Sequence, residues 1–229
     1  MCGRYSIFTP PAELRRRFDV RVPDEVDLSP RYNAAPGQDL PVVLGEDPDR
    51  VAAARWGFTP AWADEERGHV NARAETLAEK PTFAAAYERR RCLVLADGFY
   101  EWADGRPYRV TVGDGAFAMA GVYERWTPPT EQAGLDSFGD GPAASGPDPV
   151  TTYAVVTTEP NEVVADLHHR MAVVLPEGAE RRWLETGDPD LLGPAPAEAT
   201  DRYPVSTAVD DVANDDPSLV RPVEGGPGG

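Results

Sequence analysis

CLVLADGFYEWADGRPYRVTVGDGAFAMAGVYERW (residues 92–126) decides the fold class. Its first part, CLVLADGFYEW, is an apolar run of buried-strand character that runs into a glycine turn. Its second part, RPYRVTVGDGAFAMAGVYERW, alternates on both sides of GDG, the mark of a hairpin. Upstream, DLPVVLGE and RVAAARWGF read as two strands parted by a DPD turn. PPAELRRRFDV has prolines at a helix start and then Leu14 and Phe18 four apart, a short amphipathic helix. AETLAEKPTFAAAYERRR is helical in character, with Pro81 breaking it in two. Downstream, VTTYAVVTTEP and AVVLP read as strands, PNEVVADLHHRM as a short helix, and GAERRWLETG as a helix with a glycine stop. There is no internal repeat. Strands in both halves with short helices between them predict one mixed α+β domain, not a parallel βαβ sheet. That domain is expected over residues 1–223. Within it, residues 127–149 are rich in Pro, Gly and acid without apolar period, a surface loop or disordered insertion, and residues 224–229 form a frayed tail.

The chain has 229 residues, enough for one substantial core, and a net charge of −17. Its basic residues are 21 Arg and one Lys, Lys80, a composition resembling that of salt-adapted cytosolic proteins. Residues 1–126 carry 17 basic and 20 acidic groups, net −3; residues 127–229 carry 5 and 19, net −14. The first half thus keeps its arginines against the trend, either as solvated helix faces such as Arg15–Arg17 or as an anion-binding surface. No stretch approaches ~20 apolar residues and no signal-peptide pattern opens the chain, so a cytoplasmic protein without membrane contact is expected. Two cysteines make no disulfide framework.

One of the two is Cys2, in MCGRYSIF. Loss of Met1 leaves Cys2 with an α-amine and a thiol on adjacent carbons. The amine, with an ordinary pKa near 7.7–8.0, adds to an aldehyde to give an imine, and the thiol closes on that carbon to form a five-membered thiazolidine. An internal cysteine has its nitrogen tied in an amide and does neither. Gly3 lets a bulky partner approach. The plain alternative is a cysteine in an ordinary terminus.

MCGRY, RYNAAPGQ (31–38), RWGFTPAWA (55–63), VNARAET (70–76), ADGFYEW (96–102) and LHHRM (167–171) occur in this order. Each is weak alone; the ordered set resembles the SRAP family of abasic-site-processing proteins, also called SOS-response-associated peptidases, from residue 2 to about residue 223. The resemblance implies a compact domain with a mainly antiparallel, barrel-like β core and short flanking helices. It implies binding of single-stranded DNA at abasic sites and capture of the ring-opened sugar aldehyde on Cys2 as a thiazolidine crosslink. AP-lyase activity and self-removal of Met1 go with it, without metal or other cofactor.

Residue by residue, the expected catalytic set is Cys2, Asn71, Glu101 and His168. Asn71 is placed to hold the terminal amine or a sugar oxygen, or else to cap a helix. Glu101, behind an apolar run and between Tyr100 and Trp102, has a desolvated carboxyl suited to proton transfer, or else pairs with an arginine. His168 matches the family's His-x-Arg and is a proton shuttle for sugar opening; the following Met171-Ala172 departs from the family's Met-Pro. The expected DNA contacts are Arg4, Asn33, Pro36, Trp62, Arg73 and Arg170. Arg73 and Arg170 would take phosphates, Arg73's alternative being an ion pair with Glu75. Trp62 and Pro36, with Tyr32, offer flat apolar surface on which bases stack. Trp56 reads as core, Cys92 as a buried structural thiol and His69 as a solvated loop residue. Two other functions start from the same terminus: an N-terminal-nucleophile glutamine amidotransferase, whose apolar strand after the cysteine is here replaced by RYSIF, and a non-catalytic single-strand-binding module. A monomer is expected.

Overall fold

The computed structural model describes residues 2–129 and 147–223. Its strands are β1 (Tyr5–Ile7), β2 (Arg31–Ala34), β3 (Asp39–Leu44), β4 (Val51–Trp56), β5 (Asn71–Arg73), β6 (Arg91–Ala96), β7 (Gly98–Ala103), β8 (Arg106–Val112), β9 (Phe117–Trp126), β10 (Val150–Thr158), β11 (Met171–Ala172) and β12 (Thr200–Pro204). Four short helices flank them: α1 (Pro11–Phe18), α2 (Ala84–Arg89), α3 (Glu162–Ala165) and α4 (Glu180–Thr186). One sheet runs β12-β8-β7-β1-β2. The other runs β10-β4-β3-β6-β9, and β9 pairs back onto β10, so this sheet closes on itself as a small barrel. β5 and β11 extend β10 at its far end. Most pairings are antiparallel, as expected of this α+β fold; β10 runs parallel to β4 and to β5. Among the described residues no helix is long and apolar enough to cross a membrane.

The opening stretch builds the junction of the two sheets. Its first part is two strands rather than one: β6 lies in the barrel and β7 in the open sheet, and Asp97 marks the crossing. The Asp97 carboxylate accepts from Ser6 Oγ at 2.6 Å, from the Phe8 and Thr9 amides at 2.6 and 3.1 Å, and from Arg109 at 3.1 Å. Gly98 is required by what passes over it, since a Cβ there would lie 2.6 Å from the Arg109 guanidinium.

The hairpin expected around GDG does not form. β8 pairs with β7 and β12, whereas β9 pairs with β6 and β10. The hairpin is β7–β8, turned by Asp104 and Gly105, both at positive φ (52° and 76°) as a type I′ turn requires. Alternation marks a strand but not its partner, and both ADGR and GDG carry turn signals. Of AVVLP, likewise, only Ala172 lies in β11, with a single bridge from Val174 to Met119 beyond it. Other elements form where the sequence placed them, except that PNEVVADLHHRM is helical only over Glu162–Ala165 and its Met171 opens β11. Pro81 separates a one-turn 3₁₀ helix at Ala74–Thr76 from α2, and α4 ends on Gly187 in the left-handed region. The ends of the 127–149 segment lie side by side across the Trp126–Val150 pair; residues 130–146 and the tail 224–229 fall outside the described residues.

Between the sheets, Tyr5 and Tyr153 share a 2.8 Å hydroxyl hydrogen bond, and Trp56 stacks on Tyr153 while its indole N–H donates to the Val70 carbonyl at 2.9 Å. Trp56 and Cys92 are buried in this core. Arg91 is buried too, its guanidinium donating to carbonyls at the C-terminal ends of both α2 (Tyr87, Glu88) and α4 (Trp183, Leu184, Glu185). Carbonyls in the last turn of a helix lack a full set of intrahelical partners, and although the Gly187 amide also donates to the Trp183 carbonyl, this one side chain caps both helices.

Candidate active site

β1 continues backward toward the terminus beside β7. Tyr5 faces Phe99, and the Tyr100 amide donates to the Arg4 carbonyl at 3.0 Å, which brings Cys2 and Glu101 together. From the other side β5 delivers Asn71, whose Nδ2 donates to the Cys2 carbonyl at 2.9 Å. Cys2 is buried, and burial followed by the Glu101 charge holds its thiol well above the ordinary range. Glu101 is 2% exposed. Desolvation pushes its carboxyl up to about 7, so at neutral pH it both gives and takes protons. Asn71 Oδ1 is buried without a partner among the described residues, an acceptor facing no donor. Cys2, Asn71 and Glu101 are thus one cluster, drawn from the segment before β1, from β5 and from β7.

The LHHRM segment reaches the same strands through β10. Arg170 donates to both carboxylate oxygens of Glu75 at 2.6 and 3.0 Å and to the Thr157 carbonyl at 2.5 Å. Thr157 pairs with Arg73, two residues beyond Asn71 on β5. His168 Nδ1 lies 3.0 Å from the Arg170 amide and 3.2 Å from the Arg170 carbonyl, so the tautomer of the neutral ring decides whether it accepts from the one or donates to the other. Burial lowers the His168 pKa, so that neutral ring is favoured; it stacks on His169 at 4.2 Å.

The expected DNA contacts divide. Arg73 is exposed, and Glu75, its alternative partner, is taken by Arg170, whose hydrogen bonds hold the Glu75 carboxyl below its usual range. Arg170 itself is only 11% exposed. Pro36 and Gly37 form an exposed type II turn before β3, Gly37 at φ 88°. Trp62 stands on the turn after β4, 65% exposed. Among the described residues no hydrogen bond joins either turn to Cys2. Asn33 takes a different place from the expected one. It is 1% exposed; its Oδ1 accepts from Arg4 and its Nδ2 reaches the carbonyls of Val209, Asp211 and Asn214. Its amide is engaged with these partners inside the protein. His69 is exposed, its ring edge on Phe83.

Three supports were not legible in the sequence. Thr157 lay inside a strand pattern, Glu75 read as a partner for Arg73, and the acidic DDVANDDP run carried no motif. Its only signals were aspartates placed to cap short turns, as Asp216 does for the Ser218 amide.

Three comparisons place this architecture. The family model "SOS response associated peptidase (SRAP)" matches residues 1–212. The abasic site processing protein YoqW of Bacillus subtilis (strain 168) is 35% identical over 238 residues, covering 96% of this chain and 99% of YoqW. The abasic site processing protein HMCES of Xenopus tropicalis is 27% identical, covering 97% of this chain and 78% of HMCES. A crystal structure of a protein from Bacteroides thetaiotaomicron superposes with a TM-score of 0.81 at 24% identity over 97% of this chain and all of that one, a likeness of fold. The chain belongs to the SRAP family.

Proposed function

We propose that this protein binds abasic sites in single-stranded DNA and captures the ring-opened sugar aldehyde on Cys2 as a thiazolidine crosslink. The observation that carries the reading is a proton-exchanging carboxyl, Glu101, held beside a buried Cys2 whose backbone is fixed by Asn71. The abasic-site names of YoqW and HMCES support the substrate class.

Chemically, removal of Met1 frees the Cys2 amine, and the same site is our choice for performing it. The nitrogen adds to the aldehyde carbon, and Glu101 in its acid form protonates the oxygen that leaves as water. The imine so formed also permits β-elimination of the 3′ phosphate, a lyase side path in which Nε2 of neutral His168 is the proton acceptor while its Nδ1–H donates to the Arg170 carbonyl. The Cys2 sulfur then adds to the imine carbon and the nitrogen gains a proton. Because burial keeps the thiol protonated, closure needs a local base, and the Glu101 carboxylate takes the S–H proton; the same group runs the ring opening in reverse. Asn71 Oδ1, lacking a donor, receives one from the freed amine or the sugar hydroxyl. Arg73 and Arg4 hold the flanking phosphates. Arg170, already paired with Glu75, acts first on His168 through its backbone carbonyl. Trp62 supplies a stacking face.

The test is incubation with an abasic single-stranded oligonucleotide followed by denaturing separation. The reading requires a heat-stable adduct with the protein and none with Cys2→Ala. In Cys2→Ala the α-amine remains, so a Schiff base trapped by borohydride should persist; an undiminished stable adduct in this variant would refute the role of the thiol.

A further inference from the structure

We propose that the C-terminal strap, residues 205–223, is a positioning element that presents one edge of Arg4 to a DNA phosphate, with Asn33 as the residue through which it acts. This rests on the function proposed above.

The strap crosses the open sheet behind β1 and β7. Val205, Val209 and Leu219 are buried against Tyr100, flanked by Tyr32, Trp102 and Tyr203. Polar ties pin it. The Trp102 indole donates to Asp210 at 2.7 Å, and Asp215 Oδ1 accepts from the Tyr32 and Asn33 amides at 2.5 and 3.0 Å. Asn33 Nδ2 ties down three strap carbonyls, and Asn33 Oδ1 accepts from Arg4 Nη1 at 2.7 Å. Arg4 Nη1 also donates to the Val209 carbonyl at 2.7 Å.

Those two bonds use both hydrogens of Nη1. They fix the guanidinium plane from its far end and leave Nη2 as the donor for a phosphate oxygen. Nε is buried away from solvent without a partner among the described residues, so the contact runs through Nη2. A strap that served only to cover Tyr100 would not need to reach Arg4. Asp215 and Leu219 also lie beyond residue 212, where the family model stops matching.

The strap carries Asp210, Asp211, Asp215 and Asp216, which gives the test opposite signs for two causes. If Asp215 acted on DNA by charge alone, removing it would tighten binding. If it acts by holding Asn33, and through it Arg4, removing it weakens binding. The measurement is reversible binding of a single-stranded oligonucleotide containing a tetrahydrofuran abasic analogue, which has no aldehyde, across a salt series. Asp215→Ala is expected to bind about tenfold more weakly, as loss of one charge-assisted contact implies. Its log–log salt slope is expected to be shallower by about 0.7, one phosphate contact. Asp215→Asn keeps the acceptor and should restore both. Asn33→Ala should match Asp215→Ala, and adding either to Arg4→Ala should cost nothing further. Tighter or unchanged binding by Asp215→Ala, or losses that multiply with Arg4→Ala, would overturn the proposal; if Asn33→Ala does not fold, the Asp215 pair decides. Absence of any wild-type binding would instead refute the functional reading, and this inference with it.

Discussion

Glu101 is poised between acid and base because four successive buried residues, Gly98 to Glu101, carry its carboxyl out of water on β7. A carboxyl whose folded pKa stands above its unfolded value favours folding at low pH and loses that advantage as pH rises. Here the window runs from the ordinary value of 4.5 to about 7. Glu101→Gln should therefore gain on wild type by roughly 2–3 kcal/mol between pH 4.5 and 7.5, at about 1.4 kcal/mol per pH unit, read by denaturant unfolding at each pH. The same variant should close and reopen the thiazolidine at least tenfold more slowly and lose the bend near pH 7 in the rate profile. Equal rates in both directions would remove Glu101 from the mechanism. Cys2, Asn71 and Glu101 were legible as candidates because each sits in a short unusual context. Asn33 was not, because a polar residue in a loop-like motif looks the same whether it faces a ligand or three carbonyls.

At the level of elements, the site depends on the crossing at Asp97, where the chain leaves the barrel and brings β7 alongside β1. Arg109 locks that crossing through Asp97, Ser6 and Tyr203. Gly98→Ala forces a methyl against this pinned guanidinium and should destabilise the fold by about 2–4 kcal/mol by chemical denaturation. A cost under about 0.5 kcal/mol would show that the lock yields freely. Arg91→Lys replaces a planar fork that reaches two helix ends by a single ammonium; a loss of about 2–3 kcal/mol is expected, with α2 and α4 the first segments to lose amide-exchange protection. Where strands and helices lie was largely readable from period and breakers. Which strand pairs with which was not. Gly113 and Gly115 in GDG have positive φ, as a hairpin turn would, yet the strands on either side enter different sheets because β9 is already paired on both edges by β6 and β10.

Over the whole molecule, the net charge of −17 opposes DNA, and the acids concentrate in the second half of the chain while the arginines of the first half remain. Reversible binding through a few phosphates falls with salt at a log–log slope of about −0.7 per contact. A covalent ring has no such dependence once closed. Retention of undamaged single strands should thus vanish in a gel shift at salt concentrations that still permit crosslinking to an abasic strand; parallel loss of both would contradict this. The most direct measurement is an intact mass spectrum of the purified protein before and after incubation with an abasic single-stranded oligonucleotide. The account predicts a protein lacking Met1, and then a single new species heavier by the mass of the oligonucleotide, or of its lyase fragment, less one water. A protein that keeps Met1, or one that lacks it yet gains no mass, would contradict the claim that the Cys2 aminothiol traps the sugar aldehyde.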